Sequence, residues 1–204
     1  MLLVVLCVAA AGADTIPELI HRGDAALDAG RFDDAIRVYS TVLERQPGHA
    51  TARVRIGIAY SKMNRLDDAE VQFGAVIADK PDCDEAWHNL GLLRLKQGRI
   101  DKAREALERT LAITDYYPQA NFHLGLIAEM QGEIETARQR YLAEVNANPR
   151  CLGAWDRLEA LGQRSARRIS SEQLWLAAGA MLLLAAAIAW VGRHRLGQRS
   201  SGWA

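Results

Sequence analysis

Cysteine is scarce in this chain, three in 204 residues, too few for the disulfide framework of a small secreted domain. Proline is scarce as well; five prolines and 16 glycines exclude collagen-like and linker-like polymers. Net charge is absent, 25 basic residues against 25 acidic, which argues against a nucleic-acid binder with its strongly basic surface. Catalytic signatures are missing too. There is no G-x-S-x-G, no Walker loop and no G-x-G-x-x-G, and no carboxylate pair stands out from the many acids of solvated helix faces. The five histidines, His21, His49, His88, His123 and His194, form no H-x-x-x-H or Cys–His metal spacing. No enzyme, cofactor, metal or small-molecule substrate is expected. What is present is half apolar and a quarter charged, which excludes a wholly disordered chain and suits one domain with appendages.

The zero net charge hides a split. Six arginines and one glutamate, Glu172, follow Gln163, leaving 19 basic and 24 acidic residues before it. An acidic body therefore carries a basic tail. Within that tail Leu174 to Val191 is 18 residues without a charge. At ~1.5 Å rise a helix of that length is roughly 27 Å long, enough to cross a bilayer core of ~30 Å with help from its flanks. Trp175 and Trp190 sit near its ends, where indole rings favour the headgroup layer. Arg164, Arg167 and Arg168 precede it; Arg193, His194, Arg195 and Arg199 follow it, so positive-inside counting is nearly tied. The opposite end, Met1 to Ala13, has an apolar run of about ten residues, too short to span. It closes on Ala11-Gly12-Ala13, the small-residue pattern of a signal-peptide cleavage site, although the segment has no Lys or Arg. Leu6 before Cys7 is bulky, unlike the small residue that precedes a lipidated cysteine.

The body between these ends repeats every 34 residues. Gly23, Gly57, Gly91 and Gly125 lie on one lattice, and Ala35, Ala69, Ala103 and Ala137 on another. Pro47, Pro81 and Pro149 share a third, with Asp115 in the missing slot. Large apolar residues recur at Phe32, Leu66, Ile100 and Ile134, at Tyr39, Phe73, Leu107 and Tyr141, and at Leu43, Ile77, Leu111 and Val145. Such a period predicts one helix pair per repeat. Gly30, Asn64, Gly98 and Gly132 are the expected turns, since these residue types accept the positive φ that ends a helix. Asp33, Asp67, Asp101 and Glu135 then open the second helix at its positive end. The glycines inside the first helix cost up to ~1 kcal/mol each relative to alanine; close approach of the two helices, over Gly23 on one and Ala35 on the other, is the expected compensation.

Two segments carry a resemblance. Asp84 to Gly98, D-E-A-W-H-N-L-G-L-L-R-L-K-Q-G, followed by Ala103 and Leu107, resembles the tetratricopeptide repeat (TPR). Ala120 to Gly132, followed by Ala137, Tyr141 and Pro149, is similar. The resemblance covers four repeats, residues 16–49, 50–83, 84–117 and 118–151, and implies an all-α, right-handed superhelical solenoid. The first repeat departs most, with Arg22 where an apolar residue is expected. Residues 152–163, with Trp155 in register with Trp87, read as a capping helix of the kind an array needs over its last open face. A basic linker (164–173), a transmembrane helix (174–191) and a short tail (192–204) complete the layout after a signal peptide (1–13). Cys83 and Cys151 occupy equivalent slots two repeats apart, so they are expected to exceed the ~7 Å Cα separation a disulfide allows.

TPR proteins bind peptides along a concave groove lined by the first helix of each pair. That role, carried over by position, falls on Ile20, Asp24 and Leu27; Val54, Ile58 and Lys62; His88, Asn89, Leu92 and Lys96; and Phe122, Leu126 and Met130. Asn89 suits bidentate contact with a ligand backbone, and intra-repeat packing is the competing role for every apolar member. Of the Lys/Asn/Asn/Lys/Arg clamp with which chaperone-binding members hold a terminal carboxylate, Asn89 alone fits; Ile20, Asp24, Val54 and Ile58 do not. The expectation is an exported, membrane-anchored scaffold for a protein or peptide partner, similar in layout to TPR members of bacterial envelope-assembly systems. Two alternatives stay open at this stage: a tail-anchored cytosolic adaptor, and an accessory membrane subunit assisting a redox or cofactor-assembly enzyme.

Overall fold

The computed structural model describes residues 14–162; the signal-peptide, linker, transmembrane and tail segments of the sequence reading lie outside them. The chain divides into two units, at Cys151 and Leu152. In the second, residues 152–162 are helical. In the first, eight helices run in order: α1 (Ile16–Asp28), α2 (Phe32–Arg45), α3 (Ala50–Lys62), α4 (Leu66–Asp79), α5 (Asp84–Lys96), α6 (Ile100–Ile113), α7 (Ala120–Met130) and α8 (Ile134–Ala147). No described helix is long and apolar enough to cross a membrane.

Each odd helix pairs with the even helix that follows it, and each even helix packs on the next odd one. The even helices all begin on the 34-residue lattice. So do α1, α3 and α5; α7 begins two residues late, at Ala120.

The pairs are made by their turns. Gly30, Asn64, Gly98 and Gly132 all have φ between 62° and 79°. In the first turn Arg31 N–H reaches Ala26 O (2.9 Å) and Gly30 N–H reaches Leu27 O (3.0 Å), the two bonds of a Schellman C-cap. The same pair recurs from Arg65 and Asn64, from Arg99 and Gly98, and from Glu133 and Gly132. Asp33, Asp67, Asp101 and Glu135 then stand in the first turn of α2, α4, α6 and α8. There they complement the helix dipole where no side chain caps the N-terminus. At the start of the array Thr15 N–H donates to Glu18 (2.6 Å), half of a capping box, with Pro17 in the first turn.

The mid-helix glycines face the large residue of the second helix. A Cβ added at Gly23, Gly57, Gly91 or Gly125 would lie 2.5, 2.5, 2.8 or 2.4 Å from the side chains of Tyr39, Phe73, Leu107 and Tyr141. This sharpens the expected glycine–alanine approach: a buried ring or Leu side chain fills the notch that each glycine leaves. The alanines, fully buried, keep the backbones close alongside. Small clusters repeat along the array, such as Val54, Phe73, Val76, Ala86, Leu90 and Leu93 around the second glycine.

Arg22 lies in the first of the described helices. Its equivalents Ile56, Leu90 and Leu124 are buried. Among the described residues no helix precedes α1 to cover this slot, and the Arg22 side chain is 57% exposed and ion-paired to Asp14.

Candidate functional site

The odd helices line the inner face of the first unit: the contacts that skip an element join α1 to α3 and α3 to α5. Across that face runs a chain of charged hydrogen bonds. Arg55 of α3 donates through Nε to Asp24 of α1 (3.2 Å) and through a terminal nitrogen to Glu85 of α5 (2.6 Å). Tyr39 of α2 donates its hydroxyl to the same Asp24 oxygen (2.6 Å). One guanidinium thus ties three successive repeats together while sharing two carboxylates, which leaves this patch with an excess of negative charge. Burial first, and then the Asp24 carboxylate that accepts its hydrogen bond, push the Tyr39 hydroxyl far above its ordinary pKa. The Arg55 guanidinium is held more firmly charged by Glu85 and Asp24, against the opposing effect of burial.

Beyond Glu85 the surface becomes aromatic. The His88 ring lies 4.4 Å from that of Tyr117, in the α6–α7 connection, and 6.1 Å from His123 of α7. Phe122 meets His123 at 5.5 Å and Tyr141 at 5.9 Å. His88 is 9% exposed, and its Nε2 makes no hydrogen bond among the described residues. Burial, reinforced by neighbouring His123, lowers its pKa to about 4; burial lowers that of His123. Both are neutral imidazoles at pH 7. The Tyr117 hydroxyl is pushed up to about 12, by burial first and then by the Glu85 and Asp84 carboxylates, which places the ring in the field of the acidic patch.

The sequence-derived groove residues meet different fates. Asp24, Ile58, Leu92 and Leu126 share one register position on successive odd helices, and all four are half-buried. They form a ribbon that crosses the inner face. Ile20 and Leu27 are half-buried against the first core cluster, and Ile58 also touches the second. Val54 is a correction: it is wholly buried among Ala69, Phe73 and Leu93 and offers no surface. Asn89 is half-buried and spends its amide on the Glu85 carbonyl (2.8 Å) one turn earlier. Lys96 is exposed and donates to the Ser61 carbonyl (2.7 Å), and Lys62 is exposed at the end of α3. Phe122 packs partly inside its own repeat, on Tyr141. Met130, 67% exposed, lies beside the next turn and lines a shallow depression with Gly98, Arg99 and Gln131.

Arg55, Glu85 and Tyr117 escaped the sequence reading. For the first two a signal existed: Asp24, Arg55 and Glu85 alternate in sign at steps of 31 and 30 residues, one period less about one helical turn, which brings them to neighbouring heights on adjacent odd helices. Among the described residues no group of three or more His, Cys, Asp or Glu could hold a metal ion. Cys83 and Cys151 are free thiols.

Residues 26–91 match one model of the tetratricopeptide repeat and residues 84–116 match a second. Among solved structures, MamA is 25% identical with a TM-score of 0.61, over 71% of this chain and 84% of that one. A thermophilic TPR protein of Thermus thermophilus, TTC0263, is 19% identical with a TM-score of 0.65, over 72% and 81%. The first TPR domain of Spaghetti (RPAP3), bound to the HSP90 peptide SRMEEVD, is 20% identical with a TM-score of 0.53, over 57% of this chain and 93% of that domain. No curated protein matches the chain. Residues 26–116 thus match models of the tetratricopeptide repeat, and the eight helices of the first unit build an all-α helical-repeat solenoid.

Proposed function

We propose that this protein is a non-catalytic scaffold that holds an extended segment of a partner protein along the inner face of its repeats. The observation that carries the reading is the ribbon of half-buried apolar side chains Ile58, Leu92 and Leu126, running beside the Asp24–Arg55–Glu85 chain. Half-buried apolar residues in one line gain by being covered, roughly 25 cal/mol for each Å² removed from water. The neighbouring carboxylates and Arg55 supply directional contacts that fix register. An array of this fold holds a peptide in the RPAP3 domain. That peptide, SRMEEVD, is acidic; here the patch beside the ribbon is itself acidic. The favoured ligand is therefore apolar with neutral or basic flanks, and a terminal carboxylate is disfavoured by charge.

The remaining parts of the reading rest on sequence. The 1–13 leader exports the repeats, residues 174–191 anchor them, and the Arg193 tail stays on the cytoplasmic side, at an envelope assembly. N-terminal sequencing of the membrane-extracted chain tests export, and an intact Met1 rejects it. For the groove, a photo-crosslinking amino acid is placed in the full chain at Leu92 or at Val71, which is 65% exposed on α4. Crosslinks to one co-purifying protein from position 92, lost on Ile58→Asp and absent from position 71, support the reading. Equal crosslinking from both positions overturns it.

A further inference from the structure

Position 144 breaks an apolar column. Its equivalents at 34-residue intervals are Val42, Val76 and Thr110, and all four residues are buried to 2% exposure or less. Thr110 satisfies its hydroxyl on its own helix, at the Ala106 carbonyl (3.1 Å). Glu144 cannot do the same, and a carboxylate taken out of water needs donors. It finds them outside α8, in the connection between α6 and α7. One oxygen accepts the Gln119 backbone N–H (3.0 Å) and the Tyr116 hydroxyl (3.4 Å).

That connection is the one that departs from the repeat. Gln119 sits at φ 64°, a left-handed conformation uncommon for a side-chain-bearing residue, and α7 starts two residues beyond its lattice position. Tyr117 lies between the two residues that Glu144 binds, and its ring rests on His88 of the preceding repeat at 4.4 Å. The equivalent residues behave differently. His49 caps its own helix through the Ala52 N–H (3.2 Å), and Cys83 is too small to reach as far.

We infer that Glu144 is a positioning residue: by fixing Gln119 and Tyr116 it holds Tyr117 against His88 and so builds the aromatic wall of the groove. Glu144 lies in the core and touches no ligand. It determines which side chains of a bound segment fit beside Glu85, because the wall stands only while the connection is clamped. The consequence for binding rests on the groove reading above; the clamp itself does not.

The test uses the full chain in detergent with histidine imidazoles labelled for NMR. The rings around His88 are those of Tyr117 and His123, so its titration reports whether Tyr117 covers it. Glu144→Gln keeps an acceptor oxygen and leaves the His88 midpoint near its wild-type value. Glu144→Val releases the connection and raises that midpoint by more than one pH unit, as Tyr117→Ala does. Glu144→Thr, too short to reach Gln119, repeats the result if the valine variant does not fold; both residues occupy this slot elsewhere in the array. A folded Glu144→Val or Glu144→Thr variant whose His88 midpoint is unmoved, beside a Tyr117→Ala variant whose midpoint rises, overturns the proposal. Capture of the crosslinked partner is then compared in the same variants. Its absence in the wild type counts against the groove reading alone and leaves the imidazole result standing.

Discussion

Replacing a helical glycine by alanine should have opposite signs at two neighbouring positions of this chain, and the geometry says why. Gly57 lies inside α3 and Gly74 inside α4. At Gly74 an added Cβ meets nothing within 4 Å, so only backbone entropy changes, and Gly74→Ala should stabilise by about 0.5–1 kcal/mol. At Gly57 the Cβ would lie 2.5 Å from Cε1 of Phe73 and 2.9 Å from both Cδ1 and Cζ. Carbon atoms rest at about 3.5–4.0 Å, so the ring must withdraw by about 1 Å. It has nowhere to go: Phe73 is 1% exposed, behind Val54, Ala69, Val76 and Leu93. Overpacking of this kind costs about 1–3 kcal/mol, which outweighs the gain of up to ~1 kcal/mol in helix propensity. Urea unfolding followed by circular dichroism on the full chain should therefore move the midpoint up for Gly74→Ala and down for Gly57→Ala. In a thermal melt each kcal/mol should appear as about 2–4 °C for a chain of this size. Gly57→Ala combined with Phe73→Leu should recover part of the loss, because Leu107 already faces Gly91 with slightly more room, 2.8 Å. A Gly57→Ala variant as stable as Gly74→Ala would refute the argument that the glycine lattice exists for ring packing.

Arg55→Met should leave Asp24 and Glu85 without their shared cation and destabilise the array by roughly 1–2 kcal/mol, measured by the same unfolding; Glu85→Gln should cost less, since Arg55 keeps Asp24. Acid should weaken the fold through His88. Its folded pKa of about 4 lies below the ordinary 6.5, so between those values the unfolded chain binds a proton that the folded chain does not. Stability from this group is thus full above pH 6.5, falls as pH drops toward 4 and levels below it, by up to about 3 kcal/mol; His88→Leu should flatten that part of the pH profile. At the turns, Asn64→Gly should stabilise by a few tenths to about 1 kcal/mol, and Gly98→Ala, at φ 72°, should cost about 1–2 kcal/mol, both read from denaturation midpoints.

The helix pairs were legible because the signals that make them are local. A glycine or asparagine that accepts positive φ ends a helix wherever it occurs, and an acid three residues on starts the next. Repetition at 34 residues then multiplies a weak signal into a firm one. The candidate site was only partly legible. Ile58, Leu92 and Leu126 could be placed on one face by counting, since they inherit the register of Asp24. Val54 could not, because a residue at a groove position and one in the core show the same periodicity. Asn89 kept its register but spends its amide on the Glu85 carbonyl of its own helix, a local bond that composition and spacing leave invisible.

By itself the amino-acid order determined the number of helix pairs, their turns, the notch in each first helix and the acidic character of the body. All of these depend on residues within one repeat or on simple summation. Only the tertiary structure decided that Arg55 bridges Asp24 and Glu85, that Tyr117 lies on His88, and that Glu144 reaches out of its apolar column to the connection before α7. These contacts join residues 25 to 31 positions apart, on different helices or loops. They depend on how one repeat stacks on the next, and the stacking angle is a property of many packed side chains together, legible in no single stretch of chain.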